Sequence, residues 1–343
     1  MKKLLTLVFM IVMAIAVVGC GGGDKKETSK AAGKGKPVVI YTAAEDERIA
    51  YLKDEFKKKF PDKEVVLQSL GTGQMLSKLQ AEGKNTSCDI FYDLEVINAE
   101  IIMNANKDLF ADLSKYDFSI YDKSVTGYTE RHKKVAVNGK TYGAFLVNTK
   151  VLKEKNLPVP KTYNDLLNPQ YKGMVIMPSP KSSGTGYSLY NGMISLMGEQ
   201  KGMDYFKALN PNIKEYTTSG SAPVKAVVRG DAAIGLGLLW QCVEKANANK
   251  DMQVVILDNK APFALFTMGM IAGKDANPDV KAVFDFLYND VNKTQVAKFN
   301  PGKVYAKQLP AEIKNYPAKV EEVNMVKLFD FKYKQDLLDK WAY

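Results

Sequence analysis

The run MVIMPSPKSSGTGYSLYNGMISLMG, residues 174–198, joins a short apolar segment to a longer apolar one through a loop of small and hydroxylated residues. Met174 to Met177 reads as a β-strand and Gly186 to Gly198 as a helix, with SPKSSGTGYS, residues 179–188, between and overlapping them. Strand, small loop and helix in succession form the building unit of an α/β layer. A loop rich in serine and glycine at the start of a helix has two readings. Ser182, Ser183, Gly184 and Thr185 can cap the helix and form its entry turn. The same exposed N–H groups, backed by the helix dipole, can also hold an anion.

The unit recurs on both sides. Upstream, Val38 to Tyr41 is a β-rich run, and Ala44 to Phe60 carries Ile49, Leu52, Phe56 and Phe60 as a helical stripe on a charged segment. Glu64 to Leu67 and Asp89 to Tyr92 read as further strands, each followed by a helix, Gly73 to Gly83 and Glu95 to Asn104. Downstream, the strands Ile213 to Tyr216, Ala232 to Leu239 and Val254 to Leu257 alternate with the helices Lys201 to Leu209, Ala222 to Val228 and Trp240 to Lys250. Two long β-like stretches, 141–149 and 263–272, lie at the seams between the two rounds. This pattern predicts an α/β protein of two doubly wound lobes joined by crossing hinge strands. Lobe 1 is expected over 37–143 and 264–305, with a helix at 277–288 returned to it, and lobe 2 over 144–263. A mostly helical, amphipathic C-terminal segment is expected over 306–343.

In open α/β sheets, ligands sit outside the carboxyl ends of the strands. Four strands here end in small polar loops that start helices: Thr42-Ala43-Ala44, Ser69 to Gly73 with Thr72, Ser182 to Gly186, and Thr217 to Ser221 with Thr218, Ser219 and Gly220. Two loops per lobe at that edge would face one cleft, which strengthens the anion reading of the opening loop. Asp93 ends a strand at the same edge, where it can pair with a ligand ammonium or cap the following helix. Tyr187 and Tyr190 stand one turn apart near the loop; one can reach the cleft, and Tyr190 reads as core.

Catalytic signals are weak. There is no G-x-S-x-G elbow, and His132 is the single histidine, in the charged run TERHKK. That histidine count also argues against a Cys/His metal site. The Gly-x-Gly steps at Gly71, Gly184 and Gly235 lack the third glycine of a dinucleotide fingerprint and read as turns and close helix packing. No enzyme activity and no cofactor are expected.

Residues 1–20, MKKLLTLVFMIVMAIAVVGC, combine two lysines, an apolar run and small residues before a cysteine. This is a secretory signal in its lipoprotein form, with residues 1–19 removed and Cys20 acylated as the new N-terminus. The run is short for a membrane helix, and glycines with a polar tract follow it. Residues 20–36 read as a flexible tether. Export and lipid anchoring to the membrane follow. The formal net charge is +10, and loss of Lys2 and Lys3 with the signal leaves +8. Lysines are spread along the chain with no basic stripe interleaved with aromatics, which argues against nucleic acid and fits anionic headgroups or ligands. Cys88 and Cys242 can be a disulfide or two buried thiols.

Residues 37 to about 305 resemble the type II periplasmic solute-binding proteins of ABC importers. The likeness is carried by VVIYTAAEDE, GTGQMLSKLQAE, SSGTGYSLYNGMISLMGEQKGMDYFKALNPNI and YTTSGSAPVKAVVRGDAAIGLGLLWQ. Within that group it is similar to the ferric-iron, phosphonate and hexose-phosphate receptors. The resemblance implies two lobes closing on a ligand without chemistry, a monomer, and delivery to an ABC permease with its ATPase. It implies that the SSGT and TSGSAP loops, including Ser221, cradle a phosphate or phosphonate. Where the iron receptors carry a tyrosine pair and the hexose-phosphate receptors a His-Asp pair, this chain has Trp240-Gln241. The expectation is therefore a small organic anion, most simply a phosphonate or phosphate ester, with Trp240 and Gln241 as a changed selectivity end. Ferric ion, and a hydrolase or transferase on the same frame, are the alternatives.

Overall fold

The computed structural model describes residues 35–129 and 131–343; the expected signal peptide, nearly all of the tether and Cys20 lie outside the described residues. The first round of strands and helices is β1 (Val38–Thr42), α1 (Asp46–Lys59), β2 (Val65–Ser69), α2 (Thr72–Glu82), β3 (Ile90–Glu95) and α3 (Val96–Ala105). A short α4 (Lys123–Thr129) precedes the long β4 (Ala136–Asn148) and α5 (Thr149–Glu154). The second round is β5 (Val175–Pro178), α6 (Gly184–Met197), α7 (Glu199–Leu209), β6 (Ile213–Thr217), α8 (Ala222–Arg229), β7 (Ile234–Leu238), α9 (Leu239–Ala248) and β8 (Met252–Val255). The chain returns through β9 (Phe263–Met270), α10 (Pro278–Phe286) and α11 (Asn292–Phe299), and ends in α12 (Phe331–Lys340).

Helix α1 shows why these segments fold as they do. Ile49, Leu52 and Phe56 share its buried stripe, Asp46 and Glu47 sit in its first turn, and three lysines occupy its last, matching both the core and the dipole.

The strands form two parallel-cored sheets bound by antiparallel seams. In the first lobe β1 runs parallel to β2 and β3, and β9 pairs antiparallel with β3. In the second, β5 runs parallel to β6 and β7. Strand β4 belongs to both: Ala136 to Tyr142 pair with β9, and from Gly143 onward it pairs with β7. Strand β4 is thus a crossing strand at the first seam stretch, while β9, at the second, pairs with β3 and with the first-lobe part of β4. Close packing explains the Gly-x-Gly step at Gly235. A Cβ there would lie 2.7 Å from the Pro223 carbonyl oxygen, and one on Gly237 would lie 2.5 Å from Val224 Cγ2, so α8 rests directly on β7.

The expected helical tail is corrected. Helix forms only at Phe331–Lys340; residues 301–330 run as an extended strap. Pro301, Pro310 and Pro317 each lack the N–H a helix interior needs. The strap instead makes isolated bridges, Tyr305 to Tyr121 and Glu322 to Ala261, and buries single apolar residues such as Val304, Val323 and Met325. Its terminal helix inserts Trp341 beside Tyr190 and Phe206 of the second lobe, with ring centroids 5.0 and 5.3 Å away. Each such fully buried side chain stabilises the fold by about 1.5–3 kcal/mol.

Candidate functional site

The loops after β1, β2, β5 and β6 line one cavity of about 960 Å³ between the lobes. Thr72, Asp93 and the loops 182–185 and 218–221 face it, which is ten of the thirteen residues expected from sequence. Ser183 is the N-cap of α6, its Oγ accepting the Gly186 N–H at 3.2 Å. Neighbouring Ser182 is different: its Oγ is buried and has no hydrogen-bond partner. The two second-lobe loops interlock. A Cβ on Gly220 would lie 2.3 Å from Thr185 Oγ1 and 3.3 Å from Ser183 Oγ, so only glycine lets them approach. Ser219 Oγ and Ser221 Oγ are 3.1 Å apart. The facing wall comes as near: a Cβ on Gly184 would lie 3.0 Å from Thr72 Oγ1 and 3.3 Å from Glu95 Oε2.

Most charges of the cleft are paired, Lys181 being the exception among the lining residues. Arg48, buried on α1, places Nη2 2.7 Å from Asp93 Oδ2 and Nη1 3.1 Å from Glu45 Oε2, and its Nε donates to Gln295. Asn138 donates to the other Asp93 oxygen at 2.7 Å. Asp93 sits at φ +63 in an interrupted register of β3, a conformation costing on the order of 1–3 kcal/mol that its buried contacts offset. Burial alone would lower the Arg48 pKa, but the carboxylates of Asp93 and Glu45 hold the guanidinium above its ordinary value. Burial pushes the Glu45 carboxyl up against the pull of Arg48. On the other side, Lys334 of α12 places Nζ 3.3 Å from Glu95 Oε2 and 2.8 Å from Asn98 Oδ1. Burial raises the Glu95 carboxyl above its usual range, opposed by Lys334 and by Ser188. Lys225 and Asp46 meet across the lobes at 2.8 Å.

Several expected roles are corrected. Asp93 neither caps a helix nor offers a free carboxylate: α3 begins at Val96 with Glu95 at its N-cap, and both Asp93 oxygens are engaged. Thr42 is wholly buried and its Oγ1 accepts the Ala44 N–H at 3.1 Å, so it shapes its loop from beneath. Trp240 and Gln241 are 1% and 2% exposed and do not line the cavity. Helix α9 starts at Leu239, which puts both residues in its first turn against the interior, with Trp240 edge-on to Phe299 at 5.8 Å. Tyr190 is core, its hydroxyl donating to the Leu337 carbonyl. Tyr187 is buried beneath the Lys334 ammonium, 4.4 Å from its ring centroid. His132 pairs with Glu100 at 3.2 Å, away from the cavity lining. Cys88 and Cys242 are both free and buried. Among the described residues no cluster of three or more His, Cys, Asp or Glu side chains is placed to hold a metal ion.

Arg48, Glu45, Glu95, Asn98, Lys225 and Lys334 line the cleft and were missed by the motif reading. The Glu45–Arg48 pair had a signal, two opposite charges three apart in AEDER just past the first strand loop. Lys334 had none.

Residues 86–333 match the family of bacterial extracellular solute-binding proteins, and the chain belongs to that family. Membership implies export. The fold is that of the two-lobed type II binding proteins. It is similar to the periplasmic binding protein AfuA from Actinobacillus pleuropneumoniae, solved with fructose-6-phosphate. The TM-score is 0.79 and the identity 22%, over 89% of this chain and 97% of that one. It is also similar to the periplasmic binding protein P5PA, with a TM-score of 0.75 and 23% identity over 89% and 98%. Iron-bound HitA from Pseudomonas aeruginosa superposes with a TM-score of 0.65 and 17% identity, over 90% and 99%. An uncharacterized Haemophilus influenzae protein is 30% identical over 220 residues, 61% of each chain, so this chain spans about three-fifths of that relative's length.

Proposed function

We propose that this protein is the receptor of an ABC importer and that its interlobe cleft takes a small organic anion, with a phosphate ester or phosphonate as the class. The observation that carries the reading is the convergence of four strand-end loops on one cavity, those after β2, β5 and β6 bringing hydroxyls to it, with the N-terminus of α6 in the lining and the Ser182 hydroxyl buried in the same loop without a partner. A neighbour holding a sugar phosphate on a similar frame supports the class. The loops 182–185 and 218–221 seat the anion, and the first-lobe wall at Thr72 closes over it. In this reading the lobes divide at the β4 partner switch, giving 37–143 with 264–305 and 144–263. Cys20 carries the lipid anchor, residues 20–36 are the tether, and a membrane permease with its ATPase receives the ligand.

The test is calorimetric titration of the purified chain. The panel is inorganic phosphate, glycerol 3-phosphate, fructose 6-phosphate, an alkylphosphonate and ferric citrate, with native mass spectrometry of the protein as first isolated. Tight binding of an ester or phosphonate supports the reading. Binding of ferric citrate alone, or turnover of an ester, replaces it with the iron-receptor or the enzyme alternative.

A further inference from the structure

Helix α12 is the last element of the chain; it packs on α3 of the first lobe and, at its C-terminal end, against the second lobe. Trp341 lies 5.0 Å from Tyr190, 5.3 Å from Phe206 and 5.3 Å from Tyr216 by ring centroid. The Leu337 carbonyl accepts from the Tyr190 hydroxyl, and Lys340 pairs with Glu199 at 2.6 Å. From that anchorage Lys334 reaches the other way. Its ammonium contacts Glu95 and Asn98, which sit at the start of α3 in the first lobe, and it stands over the Tyr187 ring of α6. An ammonium has three donor directions, and here two meet first-lobe oxygens while the third faces a second-lobe π surface. The side chain is 9% exposed and that of Glu95 4% exposed, so the pair is shielded from water and bridges the lobes at the wall of the cleft.

We infer that Lys334 is a positioning residue for ligand binding: through Glu95 and Asn98 it holds the lobes closed and so sets how much of the empty protein is binding-competent. On this inference α12 follows the second lobe when the lobes part, which separates Lys334 from both oxygens. A receptor binds with an apparent dissociation constant inversely proportional to the competent fraction. A lost hydrogen bond to a charged group shifts such an equilibrium about ten- to a hundredfold. The effect on affinity rests on the receptor reading; the effect on the lobes does not.

The experiment measures the distance between labels on cysteines introduced at exposed Lys84 and Lys207, one per lobe, by electron paramagnetic resonance, with no ligand added. Lys334→Met is expected to lengthen and broaden the distance distribution, and Lys334→Arg to restore it. Glu95→Gln, which keeps shape and removes the partner charge, should open the lobes as well and serves if the methionine variant does not fold. The tightest ester of the panel should bind Lys334→Met about ten- to a hundredfold more weakly. An unchanged distribution in folded Lys334→Met or Glu95→Gln overturns the inference. So does an unchanged distribution with lost affinity, which makes Lys334 a direct ligand contact. If no ester binds, the receptor reading fails while the distance measurement still decides the latch.

Discussion

Ser182 and Ser183 are adjacent hydroxyls in one loop, yet they should respond oppositely to alanine. Ser183 Oγ accepts the Gly186 N–H at 3.2 Å and caps α6. Its removal costs about 1 kcal/mol of stability, roughly 2 °C in melting temperature for a chain of this size. Ser182 Oγ is buried against the cavity with no partner. A buried hydroxyl left unpaired costs on the order of 1–3 kcal/mol, so Ser182→Ala should leave the empty protein's melting temperature unchanged or raise it. With ligand the ranking inverts. A hydroxyl donated to a charged ligand is worth about 1.5–3 kcal/mol, so Ser182→Ala should weaken the tightest ester ten- to a hundredfold. Thermal melts of the ligand-free variants and calorimetry with that ester read the two quantities separately. If Ser182→Ala melts lower and binds normally, its hydroxyl supports the loop and the cradle reasoning fails.

Trp240→Ala tests the relocation of that side chain. A fully buried indole should cost about 3–5 kcal/mol of stability on truncation. A variant that keeps its melting temperature and loses affinity would return Trp240 to the cleft. Glu95 gives a pH signature, because burial raises its carboxyl while Lys334 and Ser188 pull the other way. The folded chain then keeps a proton that the unfolded chain has lost. This contribution is complete below about 4.5, the ordinary value, and is lost as pH rises through the folded value. Denaturant titrations from pH 4 to 7 should show wild-type stability falling relative to Glu95→Gln as pH rises; parallel curves would refute the burial argument. Burial pushes the Cys88 thiol up to about 12 and Cys242 in the same direction, so in a chain begun after Cys20 neither should react with an aromatic disulfide at pH 8 until unfolded. Fast labelling of the native protein would contradict their placement.

The alternation of strands and helices was legible because each element carries its own period: the α1 stripe and the apolar run of β5 need no distant partner to be recognised. The strand-end loops followed from that alternation, since runs of glycine and small polar residues favour the turn where a strand stops and a helix starts. Trp240 and Gln241 were misread for a local reason. The end of β7 lies at Leu238 with no loop after it, and one residue of helix start decides whether a side chain meets the cleft or the core. The tail was misread because its buried residues serve two lobes singly, so their spacing reflects the surface beneath and not the period of a helix. Lys334 and Glu95 are 239 positions apart, and neither has a local pattern that names the other.

The pairing of the cleft's cations changes what the chain's basic charge can mean. Arg48 is shared by Glu45 and Asp93, Lys225 meets Asp46, and Lys334 meets Glu95. The last two pairs run from one lobe to the other, so these charges act on closure. Besides Lys181, which lines the cavity and makes no ion pair among the described residues, the proposed anion would meet a set of neutral, directional donors: hydroxyls of the 182–185 and 218–221 loops and the amides at the start of α6. Donors of that kind reward an oxygen's position as well as its charge, which suits a tetrahedral oxyanion on a larger molecule. The chain's net positive charge acts more diffusely. Spread over the surface as lysines, it raises the local concentration of anions around the protein, while selection is left to the geometry of the loops.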